Sequence, residues 1–294
     1  MSKVRARIAK MLILGFKQMQ DPYYQGFAAQ ISFYLILSIV PIFLLITQLL
    51  GFFGISVETA LSLIEEYTGK KMSSMLEELF RFSSVGLGNV IFAGIALWAG
   101  SRASFAIMRI TNYTMTEGQS TGRNYFIERI RAIKTMIITV LTISFSLIIL
   151  AYGRPILEML IGILGIENGE VYVDSIWMWL RWVLGFALYF LMISYNYYIL
   201  PTERVRFRKV LPGSIFAAAG MLIVTFIYSR YTGSLAGYDL IYGALSSVVG
   251  IMFWFYFIAW VMCLGVLCNK VWDETGEGSD RRNYVKYPGG GKSR

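Results

Sequence analysis

Arg102 is the residue whose position first asks for a chemical reason. It stands in Trp98-Ala99-Gly100-Ser101-Arg102-Ala103-Ser104, inside an otherwise apolar run. A cation at such a place is costly unless it meets an anion, a carbonyl or the interface. Its small and hydroxylated neighbours let another helix or a polar group come close. Two readings follow: an arginine that receives an anionic headgroup in a cavity, and one that snorkels to the interface or pairs structurally. An earlier run carries Gln30, Ser32, Ser38 and Gln48 together with Pro41. Proline removes one helical hydrogen bond and can kink or break a span, which frees backbone groups to line a water-filled cavity; in other membrane helices it only shapes packing. Arg102, Ser101, Pro41, Gln30 and Ser38 together form the candidate substrate cavity.

Arg181 is flanked by Trp177, Trp179 and Trp182, the pattern of an interfacial anchor. Asp239 opens the last apolar run and is placed to pair with Arg181 or Arg230 across a bundle. Elsewhere the chemistry is sparse. The chain has no histidine, so zinc sites and histidine-based triads lack their commonest member. No glycine-rich phosphate loop with lysine and no pair of deep carboxylates is present. These absences predict no metal, no cofactor and a role other than an enzyme's. Cys263 and Cys268, five positions apart, fall on different faces of a helix, which disfavours a disulfide.

The elements that must hold these residues are set by composition. Of 294 residues, 56% are hydrophobic and 15% charged, against about 25% charged in a soluble domain. Such a chain takes lipid as its solvent. Apolar runs at 28–54, 85–110, 133–153, 176–200, 210–231 and 241–269 each reach the roughly 20 residues that a helix needs to cross a bilayer. The fold class is therefore all-α: a polytopic transmembrane bundle of about six spans with amphipathic interfacial helices. Residues 1–27 form a basic amphipathic segment, 28–269 the membrane domain and 270–294 a flexible tail.

Charge supplies the orientation. Lys3, Arg5, Arg7, Lys10 and Lys17 precede the first run; Arg123, Arg129, Arg131 and Lys134 lie in the second loop, and Arg204, Arg206, Arg208 and Lys209 in the fourth. The intervening loops are acidic or near neutral. Alternation of this kind places the basic segments and both termini in the cytoplasm. The net charge of +9 is thus a topology signal, since nucleic-acid binding needs cations gathered on one exposed face. Membrane lipids are the expected partners. Residues 57–82 are periodic enough for an amphipathic helix that caps a cavity or packs on the outer ends, and 4–19 and 125–134 are read as helices on the inner surface.

The order of motifs resembles the YihY/BrkB family of bacterial inner-membrane proteins. The resemblance rests on Asp21 with Ala28-Ala29-Gln30-Ile31-Ser32-Phe33-Tyr34, Ser38-Ile39-Val40-Pro41, the 98–102 segment, Leu200-Pro201, Leu211-Pro212-Gly213, Tyr242-Gly243-Ala244-Leu245, Trp254, Tyr256 and Leu264-Gly265. It implies a six-helix cytoplasmic-membrane protein, with lipid movement as the family-level expectation. An older family label, ribonuclease BN, has little support in a chain without histidine. The leading expectation is a transporter or flippase-like protein for a lipid or other anionic amphiphile. A scaffold for envelope proteins and a membrane-embedded enzyme are the alternatives, and the oligomeric state is not legible.

Overall fold

Asp21 and Pro22 start the first long apolar helix. The Asp21 carboxylate accepts from the Tyr23 amide at 3.0 Å, and Pro22 takes an opening position where a missing N–H is no loss. The computed structural model describes residues 2–56, 58, 59, 61, 62, 65, 88–122, 124–163, 169–202, 205–234 and 244–275. Among these, seven helices follow in order: α1 (Ser2–Met19), α2 (Pro22–Phe52), α3 (Gly88–Met115), α4 (Tyr125–Ile163), α5 (Gly169–Ile199), α6 (Phe207–Ser234) and α7 (Ala244–Glu274). No strand occurs among the described residues, as the apolar runs require when every backbone group must be satisfied within its own segment.

Helices α2 to α7 close into a ring. Each packs on its neighbour in the chain and α7 returns to α2, while α2 also touches α4, and α3 touches α7, across the middle. Helix α1 lies against α7. The main core gathers Ile31, Met108, Ile193, Tyr197 and Val266 from four helices, with the Tyr197 hydroxyl donating to the Met262 carbonyl at 2.6 Å.

A close seam joins α6 and α7 at Gly213. Pro212 lies inside α6 and disturbs the local helical hydrogen bonding. The neighbouring Gly213 amide instead donates to Asn269 Oδ1 of α7 at 2.7 Å. A side chain at Gly213 would run into the Gly265 carbonyl and into Asn269, so glycine is what lets the two backbones approach. This gives the Leu211-Pro212-Gly213 motif a packing role.

Four helical stretches among the described residues are long and apolar enough to cross a membrane: Tyr125–Ile163, Val173–Ile199, Phe207–Tyr231 and Val248–Glu274. The first two expected runs, 28–54 and 85–110, fall largely in α2 and α3, some of whose side chains lie outside those described. The chain is a multi-pass helical membrane protein. Four spans are counted among the described residues, where about six were expected of the whole chain.

Several boundaries move. Residues 125–134, expected as a separate surface helix, form the first turns of α4, a continuous helix of 39 residues. Their sequence has no glycine or proline to break the junction with the apolar run. The same helix passes Pro155 and ends at Ile163. Helix α2 continues without a break through position 41, although the Pro41 and Gln48 side chains lie outside the described residues. The tail's first residues, including Lys270 and Glu274, extend α7. Most of 57–82 lies outside the described residues; Leu61, near its start, is buried with Phe43, Tyr228 and Ile251.

Candidate functional site

Helix α3 has two faces, and the spacing of its residues decides which looks outward. Ala99, Ala103, Ala106, Ile107 and Ile110 are buried in the ring, at the three- and four-residue steps of one helical stripe. Trp98, Arg102, Phe105 and Arg109 follow the same steps on the other side, where Trp98 and Arg102 are exposed and Phe105 and Arg109 half-buried. Arg102 therefore stands on the perimeter of the bundle, outside any enclosed cavity. Its guanidinium donates to the Tyr34 hydroxyl of α2 at 3.2 Å and lies 5.5 Å from that ring and 5.7 Å from the Trp98 ring. Arg109 repeats the pattern 4.9 Å over Phe105.

Arg129, in the second turn of α4, completes the group. Only 7% of it is exposed, its Cζ sits 4.1 Å over the Trp98 ring, and its Nη2 donates to the Trp98 carbonyl at 3.2 Å. Nε has no hydrogen-bond partner. No carboxylate among the described residues forms an ion pair with Arg102, Arg109 or Arg129. Glu128 is adjacent in sequence but turns away, as successive helical residues must. Removing a guanidinium from water costs several kcal/mol, and a cation–π contact returns only about 0.5–2 kcal/mol.

The Glu128 side serves the structure. Glu128 is 5% exposed and belongs to a polar clasp: Asn112 Nδ2 donates to Thr202 Oγ1 at 2.8 Å, and Thr202 Oγ1 donates to Glu128 Oε1 at 3.1 Å. The Thr202 amide donates back to Asn112 Oδ1 at 2.9 Å. Arg131 donates to the Pro201 carbonyl at 2.6 Å. These bonds fasten the ends of α3 and α4 to the α5–α6 connection. Close by, Tyr113 donates to Asp21 at 2.7 Å, and Tyr24 and Thr114 share a bond of 3.0 Å. Partial burial and the Asp21 carboxylate push the Tyr113 phenol up to about 12, and burial does the same to Tyr24.

The other sequence candidates do not converge with Arg102. Ser101 and Ser38 are fully buried and donate to carbonyls of their own helices, Trp98 at 2.8 Å and Leu35 at 3.0 Å. Gln30 is half-buried on α2. On α5, Arg181 is half-buried, while Arg230 of α6 lies 5.3 Å over Phe226. Asp239, their expected partner, lies outside the described residues. Both cysteines are free, Cys263 buried and Cys268 half-buried.

Sequence reasoning did not single out Arg129, which counted as a loop charge within the expected 125–134 surface helix, and it missed the Asn112–Thr202–Glu128 clasp. The sequence did offer the face that Arg129 joins: an aromatic or arginine at 98, 102, 105 and 109, at helical steps, is an interfacial pattern. Among the described residues no group of three His, Cys, Asp or Glu residues could hold a metal.

Comparison with known proteins agrees with this architecture. The family described as Virulence factor BrkB matches residues 16–286. The Bacillus subtilis (strain 168) protein named "Putative ribonuclease-like protein YfkH" is 26% identical over 263 residues, covering 88% of this chain and 94% of that protein. UPF0761 membrane proteins of Xanthomonas campestris pv. campestris and Xanthomonas oryzae pv. oryzae are 37% identical over 78 residues, 26% of this chain and 18% of theirs. No solved structure matches.

Proposed function

This chain belongs to the Virulence factor BrkB family, and we propose that it is a transporter or flippase-like protein of the bacterial cytoplasmic membrane that moves an anionic lipid or similar amphiphile. The observation that carries the reading is the Arg102–Arg129 pair at the Trp98 ring, Arg102 exposed on the bundle's perimeter and Arg129 buried behind it, with no carboxylate paired to either among the described residues. Cations in this setting attract anionic headgroups. The basic end of the bundle faces the cytoplasm on the positive-inside argument, so the pair lies at the depth of inner-leaflet headgroups. The chain has no phosphate loop for ATP, so movement is passive, ion-coupled or driven by a partner.

The ribonuclease-like name belongs to the Bacillus relative. Hydrolysis of RNA calls for an acid–base pair or a metal, and a chain without histidine supplies few of those groups. Headgroup accessibility of labelled phosphatidylglycerol in proteoliposomes of the purified protein tests the transport reading. Flux above that of empty liposomes is expected; equality with empty liposomes would overturn it.

A further inference from the structure

The perimeter face of α3, with its neighbours on α2 and α4, is built like a lipid site more than like a solute channel. Its polar part is Arg102, Arg129 and the Tyr34 hydroxyl, gathered around the Trp98 ring. Two guanidiniums on one indole, 5.7 Å and 4.1 Å from its centre, suit a phosphate, whose oxygens accept charge-assisted bonds from several donors at once. Arg129 has bonded Nη2 to a carbonyl, while its Nε has no partner. Arg102 has one hydroxyl partner. Arg102, which is exposed, keeps donors in reserve for an incoming anion, and the buried Arg129 adds its charge at the same ring.

The apolar part continues along α4. Phe126, Ile130, Ile137 and Leu141 are all exposed, at 77%, 68%, 40% and 50%, and their spacing keeps them on one face. Arg129 lies between the first two in sequence, so the strip leaves the cations and runs toward the membrane interior. Such a strip is of no use to free phosphate, but it matches an acyl chain lying along the helix.

We infer that the groove formed by Tyr34 of α2, Trp98 and Arg102 of α3 and Arg129 of α4 binds the phosphate of an anionic phospholipid from the cytoplasmic leaflet, whose acyl chain lies on Ile130, Ile137 and Leu141. This deepens the transport reading by naming the ligand and its lateral route, and it rests on that reading for its purpose, though binding can hold without flux. A zwitterionic lipid offers the same phosphate with a neighbouring ammonium that repels both arginines. Selectivity for anionic headgroups therefore comes from the pair.

The test is native mass spectrometry of the full chain, delipidated in detergent and titrated in parallel with phosphatidylglycerol, phosphatidylcholine and inorganic phosphate. Phosphatidylglycerol should bind at least about tenfold more tightly than phosphatidylcholine, and Arg129→Gln and Arg102→Gln should each reduce that preference by about tenfold, the loss of one charge-assisted contact. Arg102 is exposed, so its variant remains informative even where Arg129→Gln fails to fold. Unchanged preference in Arg102→Gln would overturn the site. Displacement of the lipid by equimolar inorganic phosphate would make it a free-anion site and overturn the lipid assignment. Arginine-dependent binding without flux in proteoliposomes would sustain the site and sink the transport reading; flux that survives loss of binding would do the reverse.

Discussion

Arg154 and Arg129 are both arginines of α4, and the helix carries them to opposite ends of the bundle. Arg154 is 54% exposed and meets two carboxylates, Glu158 and Asp174, each at 3.0 Å. Arg129 is buried, rests on a tryptophan and has no carboxylate among the described residues. A cation that is fully answered within the protein is structural, and its exposure makes that answer weak. Arg129 is met by a ring and a carbonyl in place of a carboxylate, which is the setting the proposed lipid site uses. The α6–α7 side of the basic end shows that local pairing is available there too, since Lys209 lies 2.9 Å from Asp273. What differs around Arg129 is the choice of neighbours.

Substituting each arginine should break the comparison most visibly. Arg129→Gln is expected to lower lipid binding about 10–100-fold, the range for a hydrogen bond to a charged group, with native mass spectrometry as the readout. Arg154→Gln should leave binding within twofold and change stability by less than about 1 kcal/mol. Next in size is the α6–α7 seam. Gly213→Ala forces a methyl group against the Gly265 carbonyl and should destabilise the bundle by about 1–3 kcal/mol in denaturation experiments, while the preference for anionic lipid is retained.

Thr202→Val removes the hydroxyl shared by Asn112 and Glu128. It should cost about 1 kcal/mol and likewise spare lipid selectivity, which separates the clasp from the groove on the other face of α4. The smallest effect is one of pH. The Tyr113 phenol is raised to about 12 from an ordinary value of 10.0, so its contribution is complete below pH 10 and is lost as pH rises through about 12. The melting temperature of the native chain should therefore fall more steeply between pH 10 and 12 than that of Tyr113→Phe.

Periodicity and charge made the helical class and membrane setting legible, because bilayer thickness and backbone satisfaction leave a long apolar run few choices. Motif order made the family legible. Individual faces were harder. Arg102 was read by the cost of a cation in an apolar run, yet its small neighbours Ala99, Ser101 and Ala103 are the side that packs inward, and the arginine looks out. Residues 125–134 carry enough charge to resemble a surface helix, and only their continuity with the run that follows shows that Arg129 is level with Trp98. The clasp could not be read at all, since Asn112 and Thr202 lie 90 positions apart and meet through the closure of the ring.

The most direct test compares phosphatidylglycerol flux in proteoliposomes holding equal amounts of the native chain, Arg129→Gln with Arg102→Gln, and Arg154→Gln. The account predicts rapid headgroup exchange for the native and Arg154→Gln proteins and a rate near that of empty liposomes for the double variant. Native-level flux in a correctly inserted double variant would contradict it.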